Sequence, residues 1–98
     1  MYIYKVKLYN WNDEKSELLL KERSVCFKDI VIAIYNDKLL EVLEHLNKKK
    51  YVNQKIFVVE INDYAYLVPF VETEYEVFLK TIFASRKATR DYLESRND

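Results

Sequence analysis

The chain contains no glycine, and that absence removes whole classes of function. Mononucleotide and dinucleotide loops bring bare backbone against a phosphate, where a Cβ would collide, so neither loop can be built here. The single cysteine, Cys26, excludes an internal disulfide. Together with the single histidine, His45, it also excludes the usual zinc frameworks and a haem attachment motif. A serine nucleophile activated by histidine would have to use His45. Net charge is absent too: 16 Lys and Arg face 16 Asp and Glu, so attraction to a nucleic acid has to be local rather than global. No apolar run approaches the roughly 18 residues needed to span a bilayer, and the opening MYIYKVKLYNW lacks the unbroken apolar stretch of a signal peptide. The expectation is a cytoplasmic protein without membrane association, metal or cofactor.

What is present suits a folded core. Half of the 98 residues are hydrophobic and 15% are aromatic, nine of them tyrosines, enough for one domain over residues 1–98. Such a chain buries roughly two thirds of its unfolded surface.

Residues Tyr2 to Tyr9 alternate as a half-buried strand does, ending near Asn10. Asn12 or Asp13 can cap a helix whose first turn is acidic and whose body, KSELLLKER, offers Leu18, Leu19 and Leu20 as a buried face. After a break at Ser24 to Cys26, the residues Phe27, Ile30, Val31 and Ile34 fall at i, i+3, i+4 and i+7. That spacing predicts a second amphipathic helix ending near Asn36 and Asp37. Period two returns at Leu39, Glu41 and Leu43. KIFVVEI reads as a central strand, Asn62-Asp63 as a hairpin turn without glycine, and YAYLVPFV as the return strand. Pro69 predicts an edge or a bulge because it cannot donate to a ladder. VFLKTIF is the last strand, and SRKATRDYLES a terminal helix with Ala88 and Tyr92 on one face. The order β-α-α-β-β-β-β-α predicts an α+β domain with a mainly antiparallel sheet.

The most informative segment is Ala84-Ser85-Arg86-Lys87-Ala88-Thr89-Arg90. It places three cations and no acid where a helix begins, although the helix dipole disfavours each by roughly 0.3–1 kcal/mol. The hydroxyls of Ser85 and Thr89, free backbone N–H groups and the cationic side chains can together hold a phosphodiester oxygen. The competing reading is a solvated helix face with Lys87–Asp91 and Arg90–Glu94 pairs. Glu72, Glu74 and Glu76 alternate and could share a hard cation, but three acids between strands more simply protect an exposed edge. Lys48, Lys49 and Lys50 suit a solvated loop. His45 has a neutral-range pKa and is an outside candidate for proton transfer, although a lone histidine in a polar loop is more simply surface. Cys26 fits a small capping or buried role at the second helix. The tyrosines and Trp11 fit core and strand positions better than base stacking.

Three stretches together resemble the BrnT family of bacterial type II toxins: Trp11-Asn12 with Lys15, then Lys21-Glu22-Arg23-Ser24-Val25-Cys26-Phe27, and finally Ala84-Ser85-Arg86-Lys87-Ala88-Thr89 with Tyr92. Members open with an aromatic-Trp-Asp motif and a lysine, continue with Lys-His-Gly-Val-Ser-Phe, and close with Ser-Ala-Arg-Lys-Ala-Thr. Here the histidine-glycine pair is Arg23-Ser24, the aspartate is Asn12, and the serine before phenylalanine is Cys26.

The resemblance implies a RelE-like fold and a metal-independent endoribonuclease that inhibits translation. It also implies neutralisation by a BrnA-type ribbon-helix-helix antitoxin in a 2:2 complex that meets operator DNA only through the antitoxin. In that scheme Arg86 stabilises the phosphate, Lys87 and Arg23 position the substrate, and Thr89 supports them. Lys15, Ser85, Arg90 and His45 contribute to RNA binding. The exposed edge expected at Pro69 and the start of the last helix would meet the antitoxin. The alternative is a catalytically inactive binding module acting through its antitoxin complex in operon autoregulation, suggested by Arg23 and by the balanced charge.

Overall fold

The computed structural model describes residues 7–44, 49–50 and 53–94. The apolar run and its return strand form the longest hairpin, β3 (Gln54–Ile61) and β4 (Tyr64–Glu72), paired in full antiparallel register from Ile61↔Tyr64 to Gln54↔Val71. Asn62 and Asp63 close it with φ of 52° and 63°, the left-handed pair a two-residue turn requires. Around this hairpin lie β1 (Leu8–Asn10), β2 (Leu39–Glu44), β5 (Glu76–Leu79) and β6 (Phe83–Ala84). The sheet order is β1-β5-β4-β3-β2, with β6 also pairing β4. The β1–β5 pair is parallel and the other pairs are antiparallel, so the fold is α+β with a mainly antiparallel sheet.

One sheet face carries the main core. Phe57, Val59, Val68, Phe70, Val77 and Leu79 pack there beneath α1 (Asp13–Arg23) and α2 (Phe27–Tyr35), with the Phe57 and Phe70 rings stacked 3.8 Å apart. Asn12 caps α1, its Oδ1 accepting from Lys15 N at 2.9 Å. Ser24 ends the helix in a left-handed conformation at φ 59°. Cys26 starts α2: the Asp29 carboxylate accepts from the Cys26 backbone N–H at 3.1 Å and from its thiol at 3.4 Å. Phe27, Ile30, Ala33 and Ile34 are buried along α2, while Val31 is half-buried.

Several expectations need correction. Of the three leucines of α1 only Leu19 is buried; Leu18 and Leu20 are 50% and 51% exposed. Successive helical residues turn by about 100°, so three in a row cannot share one face. In β2 a register shift between Leu39 and Glu41 puts Val42 against the core and leaves Leu43 on the other face. Residues 1–6 of the expected first strand lie outside the described residues; Lys7 is a bend and the strand runs over Leu8–Asn10, where Tyr9 packs on the core while Leu8 is exposed.

Pro69 is not on an edge strand, but it lies where the register of β4 against β5 and β6 slips by one residue, from Phe70↔Leu79 to Leu67↔Phe83. It sits in β4, the middle strand of the order, paired with Ile56. Its carbonyl accepts from Lys80 N at 2.8 Å, so its missing N–H faces the gap between β5 and β6 and no ladder bond is lost. That gap is also where the expected last strand breaks in two. Leu79 and Ile82 both enter the core, and a spacing of three is incompatible with uninterrupted strand alternation.

The opposite sheet face holds a smaller cluster of Val58, Ala65, Ala88 and Leu93, with Leu40, Leu67 and Tyr92 against it. The terminal helix supplies this cover. It begins as one α turn, α3 (Arg86–Ala88), and continues as a π-helical segment, Thr89–Glu94. Ala88 and Leu93 are buried five residues apart, which the wider π turn aligns, so Leu93 and not Tyr92 takes the deeper position.

Candidate nucleic-acid interface

The cation-rich segment is fixed to the sheet from both sides. Ser85 N donates to Ala65 O at 3.0 Å, and the Ser85 hydroxyl accepts from Ala88 N at 3.0 Å, capping α3. The buried Thr89 hydroxyl accepts from Ala65 N and donates to Ser85 O, each at 2.8 Å. Both hydroxyls therefore hold the start of the helix in place. Arg86, Lys87 and Arg90 project from that start and are exposed. Lys87 binds Asp91 at 2.5 Å, which holds the Asp91 carboxyl below its ordinary value of 3.8, with a smaller contribution from the charge of Arg90. Among the described residues no carboxylate lies within ion-pair distance of Arg86 or Arg90, and no Arg90–Glu94 pair forms.

Arg23 arrives from the end of α1. Its guanidinium donates to Ile82 O and lies 5.5 Å from the centroid of the Phe83 ring. Since Phe83 and Ala84 lead directly into Ser85, the structure joins Arg23 to the chain that presents Arg86. Lys15 stands eight residues earlier on α1, about 12 Å along the axis at 1.5 Å per residue. With Asn12, Glu14, Leu18, Phe78 and Lys80 it lines an open groove beside the end of β5. Lys80 Nζ lies 5.6 Å over the Phe78 ring. The site residues thus fall into two groups, Arg23 with the start of α3, and Lys15 with Lys80. His45 lies outside the described residues.

Lys80, Phe78 and Phe83 were not singled out from the sequence. A signal for Phe78 and Lys80 existed: in Val77-Phe78-Leu79-Lys80 the core claims the first and third residues, so the alternate pair must point away from it. The acidic triplet does not converge. Glu72 pairs with Lys7 at 2.6 Å and Lys55 at 3.6 Å, and the described residues contain no group of three metal-ligating side chains. No helix among them is long and apolar enough to cross a membrane.

No protein-family model, curated protein or solved structure matches the chain.

Proposed function

We propose that the chain is a BrnT-like toxin with a RelE-like fold, a cytoplasmic metal-independent endoribonuclease that inhibits translation. The observation that carries this reading is Arg86, exposed and without an acid partner among the described residues, on a helix start held to β4 through Ser85 and Thr89. An unneutralised cation carried on a backbone that is itself held in place is available to a developing phosphorane charge.

In the proposed reaction the RNA supplies its own nucleophile. The 2′-oxygen bonds to the adjacent phosphorus, its proton leaves to a base, and the P–O5′ bond breaks as the 5′-oxygen takes a proton, leaving a 2′,3′-cyclic phosphate. Arg86 stabilises the non-bridging oxygens, while Lys87, Arg23, Lys15 and Arg90 position the backbone. Neutralisation falls to a BrnA-type antitoxin in a 2:2 complex, which alone contacts operator DNA. Strand addition by that partner has to use the outer strands β1 or β2 of the described sheet, because β4 at Pro69 is enclosed.

A second reading, an inactive module that works through its antitoxin complex, draws on two observations. Lys87 is already neutralised by Asp91, and the Thr89 hydroxyl is committed to Ala65 and Ser85. Purified protein incubated with RNA in EDTA separates the two. Cleavage by the wild type that is lost in folded Arg86→Ala supports the ribonuclease; intact RNA together with unimpaired growth on induced expression supports the module.

A further inference from the structure

The sheet surface beside the cations carries two aromatic rings for which the core has no use. Phe83 is 46% exposed, and Phe78 is half-buried. Their partners in β4 are Leu67 and Val71, which lie four residues apart and therefore on one face of the sheet. At about 3.3 Å per strand residue the two rings stand about 13 Å apart, close to four stacked nucleotides at ~3.4 Å per step. Each ring has its own cation, Arg23 over Phe83 and Lys80 over Phe78. Arg23 is anchored to Ile82 O, so its guanidinium plane is held beside the ring, where Phe83 alone would be an exposed liability.

Resting on the reading of the chain as an RNA-acting protein, we propose that this surface takes single-stranded RNA, with unpaired bases stacking at Phe83–Arg23 and Phe78–Lys80 and the backbone running past Lys15 toward Arg86. A duplex keeps its bases stacked on one another and offers no free face to a ring, whereas an unpaired strand presents one at every nucleotide. Alternation of flat faces with positive charge is the chemistry that such a strand recognises. Glu14, the acid on the groove's lining, keeps phosphates off that wall and turns the backbone toward Lys15 and Lys80.

The test titrates the full chain against a labelled 2′-O-methyl oligo(A) of about ten nucleotides, which lacks the attacking hydroxyl and stays intact, and against a 2′-O-methyl duplex of the same length, in EDTA at low salt, following anisotropy. The variants are Phe83→Leu and Phe78→Leu, which keep apolar bulk but lose the flat face, and Lys80→Ala, which leaves the core untouched. Melting curves accompany each. The single strand is expected to bind at least tenfold more tightly than the duplex. Each leucine variant should weaken the single strand by roughly 5- to 100-fold and the duplex by less than twofold. If the leucine variants and Lys80→Ala bind the single strand like the wild type while Arg86→Ala does not, RNA binding stands and the stacking site is overturned. If the wild type binds neither probe, the RNA reading falls and this site falls with it.

Discussion

Replacing Thr89 with valine keeps the volume of the side chain and removes only the hydroxyl, so no cavity complicates the result. Two bonds are lost. Ala65 N–H is left buried without its acceptor, at a cost of roughly 1–3 kcal/mol. Ser85 O loses the hydroxyl donor but keeps Thr89 N at 3.0 Å, which limits that loss to about 0.5–1 kcal/mol. The extra methyl group returns up to about 0.8 kcal/mol. The net expectation is a destabilisation of about 2 kcal/mol, or a fall of about 2 M in the urea midpoint if the slope is about 1 kcal/mol/M, with the slope unchanged. Thr89→Ser retains the hydroxyl and should lose less than half as much. Hydrogen exchange at the Ala65 amide gives a local readout, faster in the valine variant and protected in the serine variant. A valine variant within 0.5 kcal/mol of the wild type, or a serine variant equally destabilised, would refute the claim that this hydroxyl ties β4 to the cationic helix start.

Leu19→Ala should cost about 2–5 kcal/mol in chemical denaturation, while Leu20→Ala should stay within about 0.5 kcal/mol; equal losses would contradict the assigned orientation of α1. Ser24→Gly should raise the denaturation midpoint by the equivalent of about 0.5–1 kcal/mol, because the left-handed conformation at φ 59° costs a residue with a Cβ more than the added unfolded-state entropy of glycine. A lower midpoint would show that Ser24 is not under that penalty. The Asp91 carboxyl is lowered by its hydrogen bond to Lys87, so its contribution is complete above the unfolded value of 3.8 and is lost as pH falls through the lower folded value. Carboxyl NMR should give a midpoint below 3.8 that rises toward it in Lys87→Gln and in high salt; a wild-type midpoint at or above 3.8 would remove the pair.

The legible parts of the fold are those in which local chemistry and tertiary position agree. Asn62-Asp63 tolerates positive φ and sits between two apolar strands, so turn and register follow together. The spacing of Phe27, Ile30 and Ile34 likewise matches their burial. Illegible features depend on partners distant in sequence. The parallel β1–β5 pair joins Tyr9 to Val77, and nothing within Tyr2 to Tyr9 encodes that direction. Pro69 reads as an edge residue because its harmlessness comes from the gap left by Lys80 to Ile82, on another strand. The same holds at the candidate site. Ser85 to Arg90 stands out by its charge alone, whereas the meeting of Arg23 with Phe83 requires α1 to lie beside β6, which no spacing in the chain expresses.

The central claim is that exposed cations, Arg86 above all, engage an RNA backbone despite zero net charge. It is tested most directly by the salt dependence of affinity for an uncleavable 2′-O-methyl RNA strand in wild type and Arg86→Ala. Each neutralised phosphate on a single strand contributes about −0.7 to the slope of log K against log salt. Contacts from Arg86, Arg90, Arg23, Lys15 and Lys80, with Lys87 left out because Asp91 already pairs it, predict a wild-type slope of about −3.5, with Arg86→Ala shallower by about 0.7 and weaker at every salt concentration. Equal slopes and affinities for the two proteins, or no measurable RNA affinity at low salt, would contradict it.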